Sequence, residues 1–129
     1  MEEINRLKAQ LSRKFDMKDL GVAKHILGTE IHRDKKNGKI WLSQQKYVEK
    51  ILEKFNMNHV KPVNVPLASH FKISLDLSPI NNEEKKYMSH VPYENAVGNL
   101  MYAMVSTRPD ISHVVGVVSR FLENPGKEH

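Results

Sequence analysis

Seven histidines and fifteen aspartates and glutamates are the side chains of this chain with the chemistry to ligate a metal or move a proton. Either task needs them at spacings that share a face. His25 and His32 fall in one apolar stretch that reads as a single strand, where an odd separation sets them on opposite faces, out of reach of one ion. His113, on a late helix, is expected to be a partly buried, hydrogen-bonded side chain rather than a ligand. Phosphoryl and nucleotidyl transfer need carboxylates that converge on Mg²⁺. Asp16 and Asp19 flank Lys18 at a helix end, Asp34 sits in a Lys-rich turn, and no two aspartates are adjacent. Ser43, Ser106 and Ser119 have no glycine-framed elbow for a nucleophile. The six glycines are dispersed, so neither a phosphate loop nor a dinucleotide fingerprint is present. The absence of cysteine removes disulfides, Cys-type zinc sites and thiol catalysis together. No catalytic residue and no metal site is expected from these residues.

Charge is more informative than any motif of this kind. Residues 22–61 hold nine Lys or Arg against four Asp or Glu, while residues 62–129 hold six against seven, so the excess of +5 sits in the middle of the chain. A basic stretch of this density attracts a polyanion by counterion release. A merely solvated Lys-rich surface is the competing reading of the charge alone.

The elements that must position these cations follow from periodicity. With 129 residues, 40% hydrophobic and 27% charged, the chain has the make-up of one globular domain. Ile4, Leu7, Leu11 and Phe15 recur at helical steps and predict an amphipathic helix ending near Met17. Ala23 to His32 reads as one strand and Lys39 to Ser43 as a second, joined through Asn37-Gly38 as a hairpin. A helix is expected from about Gln44 to Asn56, capped by Ser43, with Lys46, Lys50 and Lys54 on its basic face. Pro62, Pro66 and Pro79 mark an extended connection, with a short helix at Asn82 to Tyr87. A third long helix starts at Pro92. A fourth is expected to be capped by Asp110 and to carry Ile111, Val114, Val115, Val118, Phe121 and Leu122 inward, with Gly98 and Gly116 allowing close approach of the pair. There is no signal peptide pattern and no apolar run of membrane-spanning length.

Five short blocks lie in a telling order: Phe15-Asp16-Met17-Lys18-Asp19-Leu20-Gly21, Leu27-Gly28-Thr29-Glu30-Ile31, Leu42-Ser43-Gln44-Gln45-Lys46-Tyr47, Val97-Gly98-Asn99-Leu100-Met101-Tyr102 and Thr107-Arg108-Pro109-Asp110-Ile111. In sequence and spacing the chain resembles the reverse transcriptase of plant Ty1/copia retrotransposons over nearly its whole length. The resemblance implies an α+β piece of a right-hand polymerase. Residues 1–43 would be a palm remnant with a primer-grip-like hairpin, 44–57 a first thumb helix, 58–91 a Pro-containing connection, 92–123 a thumb-like helical hairpin and 124–129 a tail. One departure is His25-Ile26, where the family commonly has an aromatic just before Leu-Gly.

The family's Tyr-Val-Asp-Asp turn does not occur in this sequence, so the resemblance implies a truncated, catalytically inactive fragment with no cofactor of its own, Mg²⁺ belonging to the parent enzyme. The expected partners are primer–template nucleic acid, bound weakly and without sequence preference, the remaining palm, fingers and RNase H parts of the polyprotein, and a second copy through self-association. No membrane partner is expected, and the family resemblance implies cytoplasm or nucleus. The residues expected to meet nucleic acid are Lys24, Leu27, Gly28, Arg33, Lys35, Lys36, Lys39, Lys46 and Lys50. The alternative is a small helical protein-interaction module built on the Pro92 to Leu122 pair.

Overall fold

The computed structural model describes residues 2–68 and 70–129. Five α-helices and a three-stranded antiparallel sheet of order β1-β2-β3 are present among them, an α+β arrangement. Helix α1 (Glu2–Lys14) opens on Glu2 and Glu3 and closes on Arg13 and Lys14, charges that complement the helix dipole at both ends. It stops short of the expected Met17. No residue of α1 is buried, and Ile4 and Leu7 are 56% and 55% exposed. Lys8 holds the following segment against the helix through an ion pair to Asp19 at 2.8 Å.

The stretch read as a single strand is in fact a tight hairpin. β1 (His25–Ile26) turns through Leu27 and Gly28 into β2 (Thr29–Asp34), with Ile26 opposite Thr29 and His25 opposite Glu30. Leu27 at φ 49° and Gly28 at φ 83° both occupy the left-handed region, as a two-residue turn between twisted antiparallel strands requires. Leucine is an unusual residue there, so the turn carried no Asn-Gly or Asp-Gly signal. β3 (Lys39–Ser43) pairs with β2 over five residues, and the loop before it is held by Asp34. The Asp34 carboxylate accepts from the Lys36 and Asn37 backbone amides at 3.0 and 3.1 Å and from the Asn37 side chain at 2.6 Å.

Helix α2 (Gln45–Lys54) begins one residue later than expected, with Gln44 rather than Ser43 in the cap position. It ends in a left-handed Asn56 at φ 55°, the Met57 amide reaching back to the Leu52 carbonyl at 2.7 Å, a closure that satisfies the last carbonyls of the helix. After a 3₁₀ turn at Leu75–Leu77, α3 (Asn82–Met88) starts where the Asn81 side chain accepts from the Glu84 amide at 2.7 Å. Helix α4 (Tyr93–Ser106) follows Pro92, and a 3₁₀ turn at Pro109–Ile111 leads into α5 (Ser112–Val118). Asp110 does not cap α5. Its carboxylate is taken by Arg108, Nη2 to Oδ2 at 2.7 Å, and Ile111 precedes the helix instead.

The core lies in the second half of the chain. Met88, Val97, Ala103, Val115 and Phe121 are its buried apolar residues, contributed by α3, α4, α5 and the 3₁₀ turn Ser119–Phe121. Tyr93 at the start of α4 donates to the Val118 carbonyl at the end of α5 at 2.8 Å, so the two helices run antiparallel. Gly98 and Gly116 do not mediate their approach, since both face open space. The glycine that the packing demands is Gly126, where a Cβ would stand 2.0 Å from the Leu77 carbonyl oxygen. Beyond it His129 stacks on Phe121, ring centroids 4.0 Å apart, and its Nε2 lies 3.0 Å from the Ser74 carbonyl.

Candidate nucleic-acid interface

The hairpin and α2 are joined to the helical half by several polar contacts, among them the Lys54 ammonium donating to Asn95 Oδ1 on α4 at 2.6 Å. The Thr107 hydroxyl donates to Gln44 Oε1 at 2.6 Å, deep enough that Gln44 is only 3% exposed. Tyr47 on α2 donates to Asn99 Oδ1 on α4 at 3.2 Å and meets Tyr102 edge-on, centroids 4.9 Å apart. Burial, with the Tyr102 phenol beside it, raises the Tyr47 phenol above its ordinary pKa. The Tyr102 hydroxyl itself donates to the Leu27 carbonyl, so α4 also holds the β1–β2 turn. These contacts hold the sheet and α2, which carry the segment of excess positive charge, against the helices.

The predicted residues separate into groups. Lys24, Arg33, Lys35 and Lys46 line one cleft of about 550 Å³, together with His25, His32 and Glu30. Lys36 and Lys39 belong to the β2–β3 loop and its return strand, and Lys50 lies one turn beyond Lys46 on α2; these three do not line the cleft. Leu27 and Gly28 sit at the opposite end of β2 from Lys35, roughly 20 Å along an extended strand. The turn and the lysine loop therefore cannot close on the same phosphate. Leu27 is 82% exposed at the tip.

Two of the expected cations are already engaged. Lys46 Nζ lies 2.6 Å from Glu30 Oε1, a pair in which the ammonium holds the Glu30 carboxyl below its ordinary pKa and the carboxylate raises that of Lys46. The Arg33 guanidinium donates to the Ala23 carbonyl. Among the described residues, Lys24, Lys35, Lys36, Lys39 and Lys50 stand in no ion pair and are exposed.

Glu30 and its neighbours were not legible as a group in the sequence. His25 Nε2 lies 3.4 Å from Glu30 Oε1 and His32 Nε2 3.9 Å from Oε2. The expectation that the two histidines point away from each other fails because the Leu27-Gly28 turn folds His25 onto β2 directly opposite Glu30. Glu30 and His32, two apart on β2, share a face by strand alternation. A signal was available in the left-handed demand of Gly28, had the preceding Leu been accepted in a turn. His113, read as a partly buried side chain, is exposed.

Three of the aspartates are committed to partners within the protein. Asp19 is bound to Lys8, Asp34 to its own loop and Asp110 to Arg108, each held below the ordinary carboxylate range by that partner. Among the described residues no three His, Asp or Glu side chains gather in a way that could hold a metal ion. No helix among them is long and apolar enough to cross a membrane.

Comparison with known proteins points one way. Residues 1–69 match the model of the reverse transcriptase (RNA-dependent DNA polymerase) family. The chain is 62% identical over 126 residues to the retrovirus-related Pol polyprotein from transposon TNT 1-94 of Nicotiana tabacum, covering 98% of the chain and 10% of that polyprotein. It is 35% identical over 119 residues to the Pol polyprotein from transposon RE1 of Arabidopsis thaliana, covering 92% of the chain and 8% of the relative. A putative transposon Ty5-1 protein of Saccharomyces cerevisiae is 33% identical over 126 residues, covering 97% of the chain and 38% of that protein. The chain thus spans about a tenth of the plant polyproteins it matches. No solved structure matches it.

Proposed function

Because the chain belongs to the reverse transcriptase family, in its Ty1/copia retrotransposon branch, we propose that it serves as a grip for primer–template duplex and carries no polymerase chemistry of its own. In this reading the β1–β3 sheet is the primer-grip edge of a polymerase palm, and α2, α4 and α5 form the thumb. The observation that carries it is a set of exposed cations along the hairpin and α2 that stand in no ion pair among the described residues: Lys24, Lys35, Lys36, Lys39 and Lys50 are free to meet phosphates, while Lys46 and Arg33 are tied to protein groups. Contacts to phosphate hold a duplex in place without reading its sequence. Within a polyprotein of this family, metal-dependent nucleotidyl transfer falls to carboxylates that these residues do not bring together.

The apolar face of α1 belongs to the same proposal. Ile4 and Leu7 are exposed on a helix without a buried residue, a surface for the rest of a polymerase palm or for a second copy of the chain. Strictly monomeric sedimentation at micromolar concentration counts against the second copy.

Fluorescence anisotropy with a labelled RNA–DNA hybrid tests the grip. With three to five phosphate contacts the slope of log affinity against log salt is expected near −3 to −4.5, taking about −0.9 per contact. Lys35→Glu with Lys36→Glu should weaken all sequences alike, and Lys85→Glu with Lys86→Glu on α3 should do much less. Equal loss from both pairs, or no binding near 20 mM salt by a folded chain, sinks the reading.

A further inference from the structure

The cleft beside β2 holds a feature that a generic basic surface lacks: two imidazoles on either side of a carboxylate that is already neutralised. Four cations, Lys24, Arg33, Lys35 and Lys46, line it against the single carboxylate of Glu30, which Lys46 occupies at 2.6 Å. His25 from β1 and His32 from β2 approach the two oxygens of the same carboxylate at 3.4 and 3.9 Å, with side chains 64% and 69% exposed. On the sheet face they share, Asp34 and Lys39 are the next charged pair along the strands, and Asp34 is committed to its loop. Trp41 stands opposite His32 and contributes no charge. Histidine is the side chain whose charge changes between about pH 5 and 8. With both rings neutral the lining carries three net positive charges; with both protonated it carries five, because one carboxylate cannot neutralise three cations.

We propose that this cleft is a binding site for a phosphate diester, armed by protonation of His25 and His32. Glu30 steers both imidazolium rings and remains paired with Lys46, so the new charge projects to the open side of the cleft, where the exposed rings can each donate to a phosphate oxygen. The site rests on the nucleic-acid reading above and adds a regulation to it: affinity for duplex rises as the medium acidifies. Its ligand is the diester group itself, which keeps one negative charge throughout this range and so leaves the pH response to the protein.

Two probes separate the sources of that ligand. Affinity for an RNA–DNA hybrid at constant low salt is measured at pH 7.5 and 5.5 for the wild type, for the His25→Gln/His32→Gln double variant and for His113→Gln, whose ring lies exposed on α5. In parallel, dimethyl phosphate is titrated at pH 5.5 while the imidazole resonances are followed by NMR. The wild type is expected to bind the hybrid about tenfold more tightly at pH 5.5, with a salt slope steeper by up to about 1.8 if both rings reach phosphates, at about 0.9 per contact. His113→Gln should keep the gain and the double variant should lose it. Dimethyl phosphate should shift the His25 and His32 resonances and leave His113 in place. An equal gain in the double variant overturns the proposal, as does a wild type that binds the hybrid without pH dependence; the grip reading survives both. If the hybrid is not bound at any pH while dimethyl phosphate still shifts the two rings, the diester site stands and the grip reading falls. If neither ligand acts on the rings, the site is refuted.

Discussion

The Tyr102 hydroxyl donates to the carbonyl of Leu27, joining the middle of α4 to a turn 75 residues earlier in the chain. The turn has no long side of its own to pack, since β1 is two residues long and Leu27 is exposed. Its position relative to the helices therefore depends on this bond and on Tyr47, which lies between the turn and α4: a Cβ on Gly28 would meet the Tyr47 ring at 3.5 Å. Tyr102→Phe keeps the edge-on ring contact and removes only the hydroxyl. A loss of about 0.5–1.5 kcal/mol in urea unfolding is expected, the net worth of one such bond. An unchanged midpoint would show that the turn is held by ring packing alone.

Leu27 is a leucine in the left-handed region, a conformation that costs a residue with a Cβ about 1–2 kcal/mol. Its side chain recovers little of that by burial. Leu27→Gly should therefore stabilise the fold by about 0.5–1 kcal/mol after the extra flexibility of glycine in the unfolded chain is subtracted. If thermal unfolding shows Leu27→Gly to be the less stable protein, the exposed leucine makes a contact that compensates its backbone.

Stability should be concentrated where burial is. Phe121 is 5% exposed and stacked on His129, so Phe121→Ala is expected to cost about 3–5 kcal/mol. Leu7, at 55% exposure on α1, should tolerate alanine within about 0.5 kcal/mol. Comparable losses at the two positions in chemical denaturation would mean that α1 is covered in solution.

Acid should weaken the fold through a specific set of carboxylates. Glu30 is held below its ordinary pKa by Lys46, with His25 a further cause, Asp110 by Arg108, Asp34 by Asn37 and Asp19 by Lys8. A carboxyl whose folded pKa is depressed contributes stability that is complete above its unfolded value, near 4, and is lost as the pH falls through the folded value. The urea midpoint is thus expected to be flat from pH 7 to about 5 and to decline below about 4. Glu30→Gln should make that decline shallower. A midpoint that rises as the pH falls below about 4 contradicts the assigned pairs.

Much of the architecture was legible because it rests on local pattern. The apolar steps of Ile4, Leu7 and Leu11, the Asn37-Gly38 turn and the Pro92 start each correspond to an observed element. Asp110 was misread because capping chemistry and ion pairing compete for the same carboxylate, and Arg108 two residues away won. The basic surface was visible as a charge imbalance, yet composition cannot say which cations are taken: Glu30 removes Lys46 through a contact sixteen residues distant, and a backbone carbonyl removes Arg33. The His25–Glu30–His32 group stayed hidden because a single backbone event at Leu27-Gly28 decides whether the histidines diverge or meet.

The bond between Gln44 and Thr107 closes a loop of 63 residues, and that between Tyr47 and Asn99 one of 52. Closing a flexible segment of this length costs roughly 3–4 kcal/mol of chain entropy before any contact across it forms. The hairpin β1–β3 and the α4–α5 pair involve near neighbours in sequence and carry no such cost. Assembly is therefore expected to proceed as two quickly formed local units that search for each other, with docking of α2 onto α4 as the slow event. The exposed sheet and the helix pair would then each have a lifetime as separate bodies during synthesis, and shortening the connection between residues 58 and 68, ahead of the Ser74 and Leu77 contacts to the C-terminal residues, should quicken their union while leaving both units unaltered.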